Sequence, residues 1–500
     1  MTTVGDDDVW VGVDLGTQSV RVLAVTADGT LAGSCVRQLA SRRDGVRHEQ
    51  DPEEWWIAVK GACVAALAAV DPARVRGVAV DGTSGTIVLT DARGDVLSPA
   101  IMYDDQRAAA YVERINDAGG ELFGRLGYRR MQASWALPKI LWLLENGMAG
   151  HGSVRVQHQT DFIAGRLVGH GVATDLSSAL KSGADLISET WPADLFETLG
   201  VPHGFLPDLV RSGTPLGTVS VASAAATGLP AGTPVYAGAT DGCAAQLGAG
   251  ALSPGDWNSV LGTTLVLKGV TATLLDDPTG AVYSHRGPGG RWLPGGASNV
   301  GAGVLARDFA GRDLDALALL ASERAFSSVV TYPLAREGER FPFVAEDARS
   351  FVLGAPADEA ERYAAVLAGV AYVERLCFDY LDLLGAPITG RLVLTGGATK
   401  SDYWNQLRAD VLGRPVTLVR NAEPALGMAL LSAAASQDAW DSGDINDIAR
   451  RMVHVSRTID PRPDTFAHHD SNYRQLVVEL ARRGWLPAAA ADHALERTPS

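Results

Sequence analysis

The chain has 500 residues, 46% of them apolar and 20% charged, an ordinary globular balance that excludes disordered, collagen-like and disulfide-stapled proteins. At about 150 residues per domain there is room for two to four, and because a single core rarely grows past roughly 300 residues, at least two cores are expected. A formal net charge of −15 argues against general nucleic-acid binding and against anionic membranes, so an anionic substrate must be met by local cations, backbone amides or a metal.

Cys35, Cys63, Cys243 and Cys377 are scattered and form no CxxC pair. With an acidic start (Asp6, Asp7, Asp8) and no apolar run of about 18 residues, the chain reads as a cytoplasmic protein with reduced thiols and no membrane span.

In chain order, Val9 to Gly16 is a short apolar run ending in a glycine turn, the pattern of a buried strand. Asp28-Gly29 between two β-rich runs predicts a hairpin. Asp51 to Val70 predicts a helix, with Pro52 in its first turn and an apolar face of Trp56, Val59, Cys63, Ala66, Leu67 and Val70. RVRGVAVDGTSG is a strand running into a glycine-rich turn, and PKILWLLEN and QTDFIAGRLVG read as helices. Strand signals return in PVYAGATDG, then in WNSVLGTTLVLKG and in RLVLTGG, before a small-residue helix at PALGMALLSAAAS. The strand, Gly-polar turn, strand device occurs early and again midway. This predicts two similar α/β halves: residues 1–252, residues 253–485, and a tail, 486–500, that frays.

Three turns and one acid carry candidate chemistry. Asp14-Leu-Gly16-Thr17-Gln18 ends a buried strand: glycine admits a phosphate to the backbone, the hydroxyls donate, and Asp14 can hold Mg²⁺, usually through water. Its alternative is a plain strand turn. Gly262-Thr263 has the same form without the acid, and Gly396-Gly397 before a helix suits an anion or nucleotide. There is no GxxxxGK[ST] and no clear GxGxxG after a strand. Asp241, where an apolar strand meets a helix, is either a base for a substrate hydroxyl or a helix N-cap.

Taken together, Asp14-x-Gly-Thr-x-Ser-x-Arg21, SWALPKILWLLEN (Ser134 to Asn146, with Ala136 where Pro, Ser or Thr is usual), Gly238-Ala-Thr-Asp241-Gly, Gly262-Thr-Thr and Gly396-Gly397 resemble, in order, the motifs of the FGGY family of carbohydrate kinases. The resemblance implies an α/β fold of two ribonuclease H-like (actin-like ATPase) domains with the active site in the cleft between them, binding ATP and Mg²⁺. It implies Asp241 as catalytic base, Asp14 at the metal, and phosphate contacts from Gly16, Thr17, Gln18, Gly262 and Thr263. Gly396 and Gly397 then serve adenosine, with Lys400 and Asn405 as further nucleotide candidates, while Trp404 reads as core. By the same alignment Thr83 and Ser84 face the sugar, with Asp104 or Asp105 in register with the substrate carboxylate, Asp104 being preferred.

TDLSSALKSG, the stretch Tyr283 to Leu305 and YPLAREGERFPF resemble the D-ribulose kinase branch, and the Gln-Met-His-Gly segment usual in D-xylulose kinases is missing. His285 and Arg286 read as structural. The implied reaction is phosphorylation of a ketopentose, D-ribulose first, with D-xylulose or another sugar or polyol as the alternative. A non-catalytic actin-like nucleotide-binding module is the alternative of a different class. Expected partners are a small sugar and ATP, without nucleic acid or membrane, and a homodimer is left open.

Overall fold

The computed structural model describes residues 5, 7–147, 154–323, 326–439 and 444–497. They form two compact units, each a mixed α/β structure. The first comprises Met1–Leu252, His285–Leu293 and Asn421–His454; the second comprises Ser253–Ser284, Pro294–Arg420 and Val455–Ser500. The chain leaves the first unit at Leu252/Ser253 and then returns to it twice, at His285–Leu293 and at Asn421–His454. The second return carries the small-residue helix Pro424–Ser436, which packs on the first unit's sheet. Among the described residues no helix is long and apolar enough to cross a membrane.

The first unit is built on a six-stranded sheet: β1 (Val9–Leu15), β2 (Ser19–Thr26), β3 (Leu31–Gln38), β4 (Val75–Gly82), β5 (Pro215–Thr218) and β6 (Pro234–Thr240), in the order β5-β6-β4-β1-β2-β3. β1-β2 and β2-β3 are antiparallel, while β1-β4 and β4-β6 are parallel. The β2-β3 hairpin turns at Gly29, whose φ of +80° suits glycine, and Asp28 accepts the Thr30 N–H. The helix Pro52–Leu67 is capped by Asp51. Its buried face centres on Trp55 and not on the predicted Trp56, because the Trp55 indole donates to Gln50 at 2.6 Å and is drawn inside. Against β1 and the helix Asp241–Gly248, the helix Pro424–Ser436 lies at backbone contact. A Cβ on Gly12 would fall 1.8 Å from the Ala425 carbonyl oxygen, and one on Gly427 would fall 2.0 Å from that of Ala244. The run of small residues is what allows this approach.

A seven-stranded sheet, all but His285, Arg286, Trp292 and Leu293 of it in the second unit, repeats the plan with β7 (Trp257–Leu261), β8 (Leu265–Gly269), β9 (Tyr283–Arg286), β10 (Trp292–Ser298), β11 (Leu392–Thr395), β12 (Val416–Val419) and β13 (Val455–Ile459), in the order β9-β10-β8-β7-β11-β12-β13. β7-β8 and β8-β10 are antiparallel; β7-β11 and β11-β12 are parallel. The helix Glu359–Leu383 runs 25 residues through its core. Residues 486–497 do not fray. Ala488–Glu496 is a helix whose Ala490, Ala491 and Ala494 enter the core, since alanine packs closely and has the highest helix propensity. Residues 498–500 lie outside the described residues.

Candidate active site

In the first unit three parallel strands carry an acid near or just past their ends. The register sets Asp14 of β1 beside Asp81 of β4 and Asp81 beside Ala239 of β6, and Asp241 opens the helix that follows β6. Asp14 is partly exposed; burial and then the Asp241 carboxylate raise its pKa to about 6, with Arg21 and Asp81 opposing. Arg21 is divided between Asp14 and Glu423, to which it pairs at 3.0 Å. Asp81 is fully buried. No N–H or O–H donor among the described residues reaches either of its oxygens, and the Asp14 carboxyl lies within hydrogen-bonding reach. Burial, then Asp14 and Asp241, push its pKa well above the ordinary carboxylate range. Asp241 accepts the Gly242 N–H at 2.7 Å and lies in the helix's first turn, where the dipole favours an anion. The N-cap position belongs to Thr240, so Asp241 is not the cap. Sequence reasoning missed Asp81; the signal was an acid inside the buried run VAVDG.

The Gly16–Ser19 turn is held by the Gly16 N–H to Ser19 O, by Gln50 to the Thr17 carbonyl at 2.6 Å and by the Leu39 N–H to Gln18 O. That leaves Thr17 partly exposed and Gln18 exposed.

Residues 82–86 form a turn held from outside by three side chains. Gln159 accepts from both the N–H and the hydroxyl of Thr83, at 2.9 Å each, and Thr83 shares a hydrogen bond with Thr86. Lys181 donates to Ser84 O at 3.0 Å. Lys139, buried and drawn down to a pKa of about 7 by burial and by Lys181, donates to Gly85 O at 3.0 Å and to Met102 O at 2.7 Å. Thr83 therefore turns its hydroxyl inward, contrary to the sugar contact expected of it; a buried hydroxyl takes protein partners. The Ser84 side-chain oxygen has no hydrogen-bond partner among the described residues. Between the two adjacent acids, Asp105 is fully buried and saturated by the His48 N–H and by Arg107, while Asp104 stays partly exposed. Burial raises the Asp104 pKa, and hydrogen bonds from His48 and Arg43 outweigh it to leave a net lowering.

In the second unit β7 and β11 are parallel neighbours, so the turns after them share one end of the sheet. Gly396 has φ +87°, and a Cβ there would meet the Leu261 carbonyl oxygen at 2.6 Å. Gly262 and Gly397 face open space, Thr263 and Lys400 are exposed, and the Ala302 and Gly303 N–H groups hold the Gly262 and Thr263 carbonyls. Asn405, expected at the nucleotide, is fully buried and donates to Thr399 O at 2.8 Å; it braces the turn from behind. Trp404 is core, as read from sequence. A cavity of about 590 Å³ opens beside Lys400 and Ser401, lined also by Asp315, Ala318 and Tyr403. Behind the turns, Arg408 makes a bidentate pair with Glu374 at 2.7 Å and donates to Ser259 at 2.9 Å, all fully buried.

Comparison with known families decides what this arrangement belongs to. Residues 9–248 match the N-terminal domain and residues 257–436 the C-terminal domain of the FGGY family of carbohydrate kinases. The chain belongs to that family. This carbohydrate kinase is 29% identical over 453 residues to a xylulose kinase of Klebsiella pneumoniae, covering 87% of this chain and 91% of the relative. It is 27% identical over 444 residues to that of Escherichia coli (strain K12), covering 86% and 90%. The crystal structure of xylulose kinase from Rhodospirillum rubrum superposes with a TM-score of 0.84 at 28% identity, over 95% of this chain and 99% of that one. A Plasmodium falciparum glycerol kinase with ADP, at 17% identity and a TM-score of 0.82 over 94% of this chain and 98% of that one, shares the fold. ATP is the co-substrate of the family, and the non-catalytic alternative falls with the match.

Proposed function

We propose that this carbohydrate kinase transfers the γ-phosphoryl group of ATP to the terminal hydroxyl of a ketopentose, D-ribulose, giving the 5-phosphate. The observation that carries the reading is Asp241, a part-buried carboxylate at a helix start with Asp14 within electrostatic reach. A carboxylate so placed accepts the proton of an attacking hydroxyl, and the rest of phosphoryl transfer is positioning and charge neutralisation. Ser84 and Asp104 hydrogen-bond the sugar, with Thr83 bracing Ser84. A site of this kind rejects an analogue that lacks the matching hydroxyl. Backbone amides of Thr17, Gln18, Thr263, Gly396 and Gly397 and the Lys400 ammonium serve the nucleotide; Gly16 and Gly262, whose own N–H groups close the turns onto Ser19 O and Thr264 O, give it room to approach, and the cavity beside Ser401 suits its base.

The donor set fits a divalent cation at Asp14. It offers hard carboxylate oxygens, and those of Asp81 are buried without a donor. Among the described residues no three His, Cys, Asp or Glu side chains form a metal cage. That suits Mg²⁺, which is commonly held by one or two carboxylates with water and substrate phosphates. When bound it neutralises phosphate charge.

D-Xylulose is the second reading, favoured by the names of the relatives. Coupled ADP release with D-ribulose, D-xylulose, L-ribulose, ribitol and glycerol tests the choice. The highest kcat/KM is expected on D-ribulose; a preference for D-xylulose installs the second reading, and no turnover on any of them overturns both.

A further inference from the structure

Asp81 is the unexplained group of this site. Its two oxygens are wholly buried, and among the described residues no hydrogen-bond donor meets them. A buried carboxylate left this way costs free energy unless something pairs with it. The parallel register places it on the strand next to Asp14, at the same level and with the two carboxyl groups within hydrogen-bonding reach. A side chain of either strand cannot slide away from the other, because β4 is clamped between β1 and β6. A Cβ on Gly238 of β6, for example, would already lie 1.8 Å from the Val80 carbonyl oxygen. Two carboxylates held together with no donor between them are a demand for positive charge. Arg21, the nearby cation, is drawn toward Glu423.

We propose that Asp81 is the second carboxylate of the divalent-cation site, acting with Asp14. This rests on the reading of Asp14 as the metal-organising residue. The competing account is that Asp81 stays a neutral acid that only hydrogen-bonds Asp14. Asparagine separates the two: it keeps the size and a donor and removes the charge.

The probe is Mn²⁺, followed by electron paramagnetic resonance in the presence of ADP, on wild type, Asp81→Asn and Asp14→Asn. Folding of each variant is checked by circular dichroism, and sugar binding by calorimetry. Asp81→Asn is expected to weaken Mn²⁺ binding at least tenfold while leaving sugar affinity unchanged. Asp14→Asn is expected to weaken it as much or more. If Asp14→Asn weakens binding and Asp81→Asn does not, this inference is overturned and the reading of Asp14 stands. If neither changes Mn²⁺ affinity, the metal reading of the whole site fails and this inference with it. Should Asp81→Asn not fold, Asp81→Glu takes its place. That variant keeps the charge but displaces it by a methylene, and an unaltered Mn²⁺ affinity and spectrum would again count against the inference.

Discussion

The two units share one topology and use its strand ends differently. In each, a first strand (β1, β7) pairs antiparallel with a second (β2, β8) and parallel with a later one (β4, β11), beyond which another lies parallel (β6, β12). In the first unit those parallel ends carry Asp14, Asp81 and, just after β6, Asp241. In the second the ends of β7 and β11 give way to Gly262-Thr263 and Gly396-Gly397, with no acid at either turn. One copy of the fold supplies carboxylates and the other supplies open backbone. The topology sets where chemistry can sit, and the residues at the strand ends set which chemistry it is. The acids carry their own cost, since they repel one another in a place that water barely reaches.

The sharpest way to break the contrast is to remove an acid. Asp241→Ala should lower kcat by about 10²–10⁴-fold, the usual worth of a positioned base, while ATP and sugar binding persist. Near-normal ADP release would remove the base role. The matching stroke in the second unit is Arg408→Met. It strands Glu374 in the core and should cost about 3–5 kcal/mol of stability, seen as a lower Tm. An unchanged Tm would mean that the buried pair does not hold β7 against the helices carrying Glu374 and Arg408. Ser84→Ala is milder. Sugar KM should rise about tenfold, equivalent to roughly 1.4 kcal/mol, with the KM for ATP unchanged. A rise in both would assign Ser84 to general folding.

The smallest effect concerns pH. Because folding raises the Asp14 pKa from 3.8 to about 6, the folded state keeps a proton that the unfolded chain has lost between those values. This group's contribution to stability therefore falls as pH rises through that window. Neutral Asp14→Asn should gain Tm relative to wild type from pH 3.8 to about 6 and hold the difference above it. A constant Tm difference across the window would show that burial and the neighbouring acids do not raise Asp14 as described.

Much of this was legible in the sequence. Short apolar runs ending in glycine turns gave strands of both sheets, Asp28-Gly29 gave the hairpin, and five short motifs in order gave the family. The misses have physical causes. Trp55 and Trp56 are equally apolar in sequence, and the Gln50 hydrogen bond chose between them. The alanine-rich end reads as a loose tail until a core is present to receive it.

The sequence by itself determined the α/β class, the glycine turns and the identity of the acids, because these depend on residue type and local spacing. Only the tertiary structure decided how they combine. It paired Asp14 with Asp81 across 67 residues of chain through strand register. It turned Thr83 and Asn405 from contacts into braces by burying them, and it set Asp104 outside and Asp105 inside. It also returned the helix Pro424–Ser436 to the first unit, where glycine lets it touch β1. Register, burial and close packing are set by partners distant along the chain, and no local pattern encodes them.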